Sequence, residues 1–268
     1  MFEFNLKPSY LEKYYSCDYL TEAEWIEEMQ PNKIIGISFI LLASVFLIVY
    51  IPVIIVLSQN EFLTKSSCYS ILLYISIIDS CTITINGIIF GYLSIRGDNL
   101  CTSYKMVMFA GEGSLIGWYI TTSSVTILGI NRLLEACNRT WANFFFEGKK
   151  VIFWLIASFA YGLFIGLFTP PMLFTGKHYA VFFNPFVDIE KVKPTYPEHY
   201  ENWPHAYHNI SICVILPILY ATICAVFFCK LKSANSEAAQ TSKTQNSLLI
   251  QSLLICTATF LAGSIYVR

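Results

Sequence analysis

A chain of 268 residues with 55% hydrophobic and only 13% charged residues is too apolar for a water-soluble domain, where about a quarter of residues carry charge. Its formal net charge of -1 argues against nucleic acid or a polyanionic substrate as a partner. The first twenty residues, MFEFNLKPSYLEKYYSCDYL, contain no apolar core, so no cleavable signal peptide is expected.

In chain order, residues 1–33 read as a polar, acidic tail carrying Trp25 and Pro31. Residues 34–57 form an uncharged first span with Pro52 near its end, where neighbouring helices can satisfy the carbonyl that proline frees. The second span is 68–93, with Asp79 near mid-length, and the third is 104–132. The fourth, 151–174, is broken near its end by Pro170 and Pro171. A long polar loop carrying all four histidines leads to a fifth span, 210–228, with Pro217, and the last is 247–267. At about 1.5 Å per residue each run can cross a roughly 30 Å hydrocarbon layer. Irregular backbone cannot face lipid, so all six read as helices. The expected fold class is an all-α membrane protein: a tail over 1–33 and a transmembrane helical bundle over 34–268. No internal repeat or low-complexity tract interrupts it.

Orientation follows from basic residues. Raw counts on the two sides are near parity, but Lys65, Arg132, Arg139, Lys149, Lys150, Lys230, Lys232 and Lys243 lie in the shorter links and are denser there. This places the tail outside. Of nine cysteines, seven lie in or beside apolar spans. Cys17 and Cys101 alone fall in outer, non-spanning sequence, an oxidising compartment, and are expected to form a disulfide.

Few residues carry chemistry. Asp79 sits roughly 16 Å into its span, near the midplane, where an acid costs on the order of 2.5–3.5 kcal/mol. It reads either as an ion or proton site that biases the bundle, or as an acid satisfied by hydroxyls such as Ser123, Ser124 and Thr126 on the third span. Glu112, between Gly111 and Gly113, reads as an anchor in an outward-facing ligand cavity with Ser114 and Trp118, or as a water-exposed acid or packing spot. Arg132 follows the apolar run and has Glu135 one helical turn on; it is a membrane-edge anchor or a latch against other helices. The histidines, His178, His199, His205 and His208, lack a cysteine nearby, so no metal site is expected. Asn138-Arg139-Thr140 and Asn209-Ile210-Ser211 match the glycosylation pattern but are expected to be unused, the first lying inside and the second abutting a span. Cys137 and Cys229, at the membrane edge, are candidates for S-acylation. No nucleophile–base pair, phosphate-binding glycine loop or zinc-protease motif is present, so neither an enzyme nor a cofactor is expected.

Taken together, the stretches EAEW, IIGISFILLASVFLIVYIPVIIVL, SCYSILLYISIIDS, LGINRLLEACN, FFFEGKKVIFWLIASFAYGLFIGLFTPPMLF, HYAVFFNPF and SLLIQSLLICTATFLAGSIYV cover nearly the whole chain. In this order they resemble the nematode seven-transmembrane chemoreceptors of serpentine receptor class T. The resemblance implies a G-protein-coupled receptor for a small environmental chemical in a sensory neuron. Its partners would be a small-molecule ligand, a heterotrimeric G protein and the lipid bilayer, with no nucleic acid. It would sit in the plasma membrane of the sensory cilium, tail outside. Asn131 and Arg132 would take the G-protein-facing end of the third helix, where rhodopsin-like receptors place an acid before the arginine; Glu135 is the stand-in. The sixth span lacks the Trp-x-Pro switch of rhodopsin-like receptors. Six of the family's seven helices are expected, with the seventh missing at the C-terminus and an empty slot between the first and sixth. The competing class is a transporter or channel, which would ordinarily show internal repeats and helices broken at the midplane.

Overall fold

The computed structural model describes residues 6, 8–192, 197–233, 250, 254 and 257–263. The tail contains two short helices, α1 (Pro8–Tyr14) and α2 (Glu22–Glu27). The first span is α3 (Lys33–Leu57), followed by the short α4 (Asn60–Lys65). The second is α5 (Ser67–Ile83), continued through a π turn over Thr84–Ile89 into α6 (Phe90–Arg96). Then come α7 (Tyr104–Cys137), α8 (Arg139–Phe146) and α9 (Lys150–Phe168). A hairpin of β1 (Leu173–Thr175) and β2 (Ala180–Phe182) and a 3-10 turn over Pro197–Tyr200 precede α10 (Trp203–Ser233). Among the described residues, five helical stretches are long and apolar enough to cross a membrane: Lys33–Leu57, Ser67–Arg96, Tyr104–Cys137, Lys150–Phe168 and Trp203–Val226. Residues 257–263 are helical, but most of the sixth expected span lies outside the described residues, and with it the expected slot beside the first.

The two span ends that differ most from the sequence reading are the end of the fourth helix and the start of the fifth. The fourth helix stops at Phe168 instead of running to residue 174. Pro170 and Pro171 supply no N–H, and a proline disfavours helical geometry in the residue before it. The chain beyond them turns into strand, pairing Leu173 with Phe182 and Thr175 with Ala180 in antiparallel register. The fifth helix starts at Trp203, seven residues before the expected 210. Pro204 lies in its first turn, where the missing N–H would have had no helical acceptor. His205 and His208 are therefore in a helix, not in the polar loop. Along α10 the buried positions are His205, Asn209, Ile212, Leu216, Tyr220 and Ile223, a spacing of three and four that defines one helix face.

The chain divides into two compact units. The first comprises Met1–Ile54, Ser76–Ile120 and Phe159–Pro204. Its core joins tail and helices: Tyr15 and Trp25 cluster with Leu93, Leu100, Phe174 and Phe186. Cys17 and Cys101 are bonded, with Cα atoms 5.5 Å apart. The Trp25 indole donates to the Cys17 carbonyl at 2.9 Å, and the Tyr200 hydroxyl donates to the Tyr14 carbonyl at 2.6 Å. Lys177 pairs with Glu28, and Lys191 with Glu27, each at 3.5 Å. Tail, inter-helix loop and hairpin loop thus make one folded cap. Gly97 ends α6 at φ 72°, a left-handed conformation that glycine adopts without steric cost, and the Gln30 backbone occupies the space a β-carbon would need. Burial pushes the Tyr15 and Tyr200 phenols up from their usual range.

The start of α2 carries a reciprocal cap. The Thr21 amide donates to Glu24 Oε2 at 2.9 Å, the Thr21 hydroxyl does the same, and the Glu24 amide donates to Thr21 Oγ1 at 3.4 Å. These bonds, the backbone one first, hold the Glu24 carboxyl below its usual 4.5. A depressed folded value means the stabilisation is full above the unfolded value and is lost as pH falls through the folded one. Thermal scans from neutral to acid pH should show Glu24→Gln starting slightly lower than wild type, with the gap closing below about pH 4. A gap that persists in acid would mean the carboxylate charge is not its source.

The second unit comprises Ile55–Ile75, Thr121–Ser158 and His205–Arg268. Its core gathers Cys68, Ile71, Val125, Leu128, Ile212 and Leu216. Phe146 of α8 stacks on Trp154 of α9 with ring centroids 5.7 Å apart. Gly129 lets the Leu219 and Tyr220 side chains approach α7 closely. Lipid tails are as apolar as leucine, so such close packing and the few polar contacts, not water exclusion, hold membrane helices together.

Candidate functional site

The residues that converge most clearly lie at the C-terminal end of α7, in the second unit. One turn of helix brings Arg132 Nη1 to Glu135 Oε2 at 2.8 Å. The Ser66 hydroxyl, at the junction of α4 and α5, donates to Glu135 Oε1 at 2.9 Å. Arg132 Nη2 donates to Cys68 Sγ. Asn131, fully buried, donates from Nδ2 to Ser67 Oγ at 3.0 Å. Adjacent residues of α7 are thereby tied to adjacent residues at the start of α5. Asn131 Oδ1 and Arg132 Nε are buried yet lack a hydrogen-bond partner among the described residues. An unmet buried polar group costs about 1–3 kcal/mol. A cavity of about 780 Å³ opens here, lined in part by Ser66, Ser67, Arg132, Glu135, Arg139 and Glu147. The arrangement is a polar cluster lining a cleft.

Deeper along the second unit, Ser123 and Ser124 both hydrogen-bond Ser158, at 2.7 and 2.8 Å. Thr126 bonds back to the Thr122 carbonyl at 3.0 Å. The Thr122 hydroxyl meets His208 Nε2 at 2.8 Å, and His205 Nε2 meets Asn209 at 2.9 Å. Reading the histidines as loop residues missed this pair. The signal was their spacing: His205 and Asn209 extend the apolar stripe of α10 by one turn.

In the first unit, one partner of Asp79 is Tyr50, whose hydroxyl donates to Oδ2 at 3.0 Å. Tyr50 was not foreseen. Glu112 is half-buried, Ser114 is buried and Trp118 is half-buried, all on α7. The helix does not bring these three together. Positions four apart lie about 40° from one another, whereas Glu112 is about 160° away from Ser114. Ser114 and Trp118 share a face, and Glu112 is on another. At the two glycosylation patterns, Asn138 Oδ1 caps α8, accepting from the Thr140 and Trp141 amides, and Asn209 is fully buried. Cys137 and Cys229 are free and exposed.

Long apolar helices, a disulfide-held cap and a polar cluster at a helix end describe a multi-pass helical membrane protein. The family model described as serpentine-type 7TM GPCR chemoreceptor Srt matches residues 2–268, and the chain belongs to this family. It is also similar to serpentine receptor class T-55 of Caenorhabditis elegans, at 26% identity over 244 residues, covering 90% of this chain. The chain spans 64% of that relative's length.

Proposed function

We propose that the chain acts as a chemosensory receptor in the plasma membrane, tail outside, taking a small environmental chemical and signalling to a heterotrimeric G protein. The observation that carries this is the Arg132 latch: an arginine held by Glu135 and lining a cavity of about 780 Å³. A protein segment entering that cavity can compete for the ion pair, since Arg132 and Glu135 both line it. Ligand binding is assigned to the outer part of α7, either at Glu112 or on the opposite face at Ser114 and Trp118. Since α7 runs unbroken from Tyr104 to Cys137, it can couple the two ends. Ligand energy would act by favouring the arrangement in which Arg132 is released, because only differential affinity shifts such an equilibrium. Within this scheme Asp79 and Tyr50 tie the first span to the second, and Ser123, Ser124 and Ser158 tie α7 to α9.

The test is expression of the chain in cells with a G-protein dissociation reporter, challenged with a panel of volatile and water-soluble chemicals. At least one should evoke a response. Arg132→Ala, at equal surface level, should weaken the coupling by about 5- to 150-fold, the usual span of allosteric linkage. Chemical-driven flux in proteoliposomes with no G-protein response would replace this reading with a transporter or channel.

A further inference from the structure

Between α7 and α9 lies a short helix whose two faces differ sharply. Asn138 caps α8 by accepting from the Thr140 amide at 2.9 Å and the Trp141 amide at 3.3 Å. Ala142 and Phe146, four residues apart, are buried, and Trp154 of α9 donates from Nε1 to the Phe145 carbonyl at 3.1 Å. Trp141, Phe144 and Phe145 face the other way, exposed at 54%, 61% and 36%. Their rings are already packed together: Trp141 stacks on Phe145 at 5.9 Å, and Phe144 meets Phe145 edge-on at 5.0 Å. Three cations, Arg139, Lys149 and Lys150, are exposed around this patch, against one acid, Glu147. Lys150 Nζ lies 5.6 Å from the Phe144 ring centroid.

Two observations say what covers the patch. It adjoins the start of α9 through the Trp154–Phe145 bond, and there Ile152, Phe153 and Ile156 are exposed on a helix long and apolar enough to cross a membrane; Phe153 packs edge-on to Trp154 at 5.6 Å. Its chemistry also matches the boundary between headgroups and chains. Aromatic rings concentrate there, and basic residues beside them are drawn to anionic lipid.

We propose that α8 is an interfacial helix that sinks Trp141, Phe144 and Phe145 into the headgroup–acyl boundary and holds anionic phospholipid headgroups with Arg139, Lys149 and Lys150. Arg139 also lines the Arg132 cavity. A helix pinned to the bilayer therefore sets one rim of that cavity, and the charge of the leaflet tunes access to it. This goes beyond the receptor reading and depends on neither its ligand nor its G protein.

The test uses the purified chain in nanodiscs of phosphatidylcholine, with and without phosphatidylserine. The Trp141 contribution is isolated as the difference between wild type and Trp141→Phe. That component should be blue-shifted and quenched by lipids brominated near the headgroup end of the chain. Native mass spectra of the chain offered equal phosphatidylserine and phosphatidylcholine should retain phosphatidylserine in excess. The excess should fall several-fold in the Lys149→Gln/Lys150→Gln variant, whose changes lie on exposed side chains. Water-like, unquenched Trp141 emission overturns the proposal. So does Trp141 shielding that occurs only on addition of a G protein, which would make the patch a protein-docking face. Equal retention of the two lipids, unchanged in the variant, overturns the anionic-lipid assignment.

Discussion

Cys17→Ser is expected to free the tail and to be among the most destabilising single changes in the chain. The bridge joins positions separated by 84 residues, and closing a loop of that size is worth about 4–5 kcal/mol in the chain-entropy model. That figure is an upper one, because membrane helices inside the loop already restrict the unfolded chain. Both ends are positioned independently of the bond. The Cys17 carbonyl accepts from Trp25, and the Cys101 amide donates to Asn99 Oδ1 at 2.9 Å. The cap should therefore loosen without the helices dissolving. Thermal melting should begin well below wild type, and limited proteolysis should cut within residues 1–33 while the long helices persist. Cys101→Ser should match Cys17→Ser, and the double variant should cost no more than either, since all three remove one bond. Coincident melting curves and an unchanged digestion pattern would mean that the tail is held by its side-chain core alone.

The parts of this fold legible in the sequence are those dictated by the bilayer. A charge-free run such as residues 34–57 has one low-energy solution in hydrocarbon, and the helix there is Lys33–Leu57. The Cys17–Cys101 bond was legible for a related reason: placing the spans left only these two cysteines in non-spanning sequence on the side expected to face outward. Where polar residues enter a helix, hydropathy lost the thread. The start of α10 was missed because WPHAYHN averages as a loop, although its buried positions continue the apolar stripe. The end of α9 was overrun because Leu173 and Phe174 are as apolar as the helix before them, and only the proline pair marks the change to strand. The pairing of Arg132 with Glu135 followed from i,i+3 spacing. The partners on α5, Ser67 and Cys68, came from a helix distant in sequence, and nothing in the local pattern names them.

One signal was present and went unread. Gly87 and Gly91, four apart in an apolar stretch, are the small-residue spacing that lets membrane helices approach closely. In the first unit they form a seam with α3. A β-carbon built at Gly91 falls 2.8 Å from the Gly36 carbonyl oxygen and 2.6 Å from Ile40 Cγ1, and one at Gly87 meets the Ala43 side chain. The seam is nearly all that α3 buries, since its buried residues are Gly36 and Ala43. Beyond it, the bonds from α3 and its first cap are few: Tyr50 to Asp79, and the Asn32 amide to the Ser94 carbonyl at 2.9 Å. The π turn over Thr84–Ile89 carries Gly87 and leads directly into the stretch that holds Gly91, so the seam also depends on that extra-wide turn. Gly91→Val must push α3 away, because besides the Ile40 side chain the Gly36 carbonyl oxygen obstructs it, and backbone cannot rotate aside. Overpacking of this kind costs about 1–3 kcal/mol in a core that can shift. Here the cost should reach the upper end, because separating the backbones removes the packing of the whole seam at once. Gly91→Ala should lose part of the stability, and Gly91→Val and Gly91→Leu progressively more. Folded yield in detergent and melting temperature read this series directly. With the seam opened, Tyr50 should also part from Asp79, so Tyr50→Phe should cost less in the Gly91→Val background than in wild type. A flat series, with valine and leucine melting alongside glycine, would show that α3 does not depend on this contact.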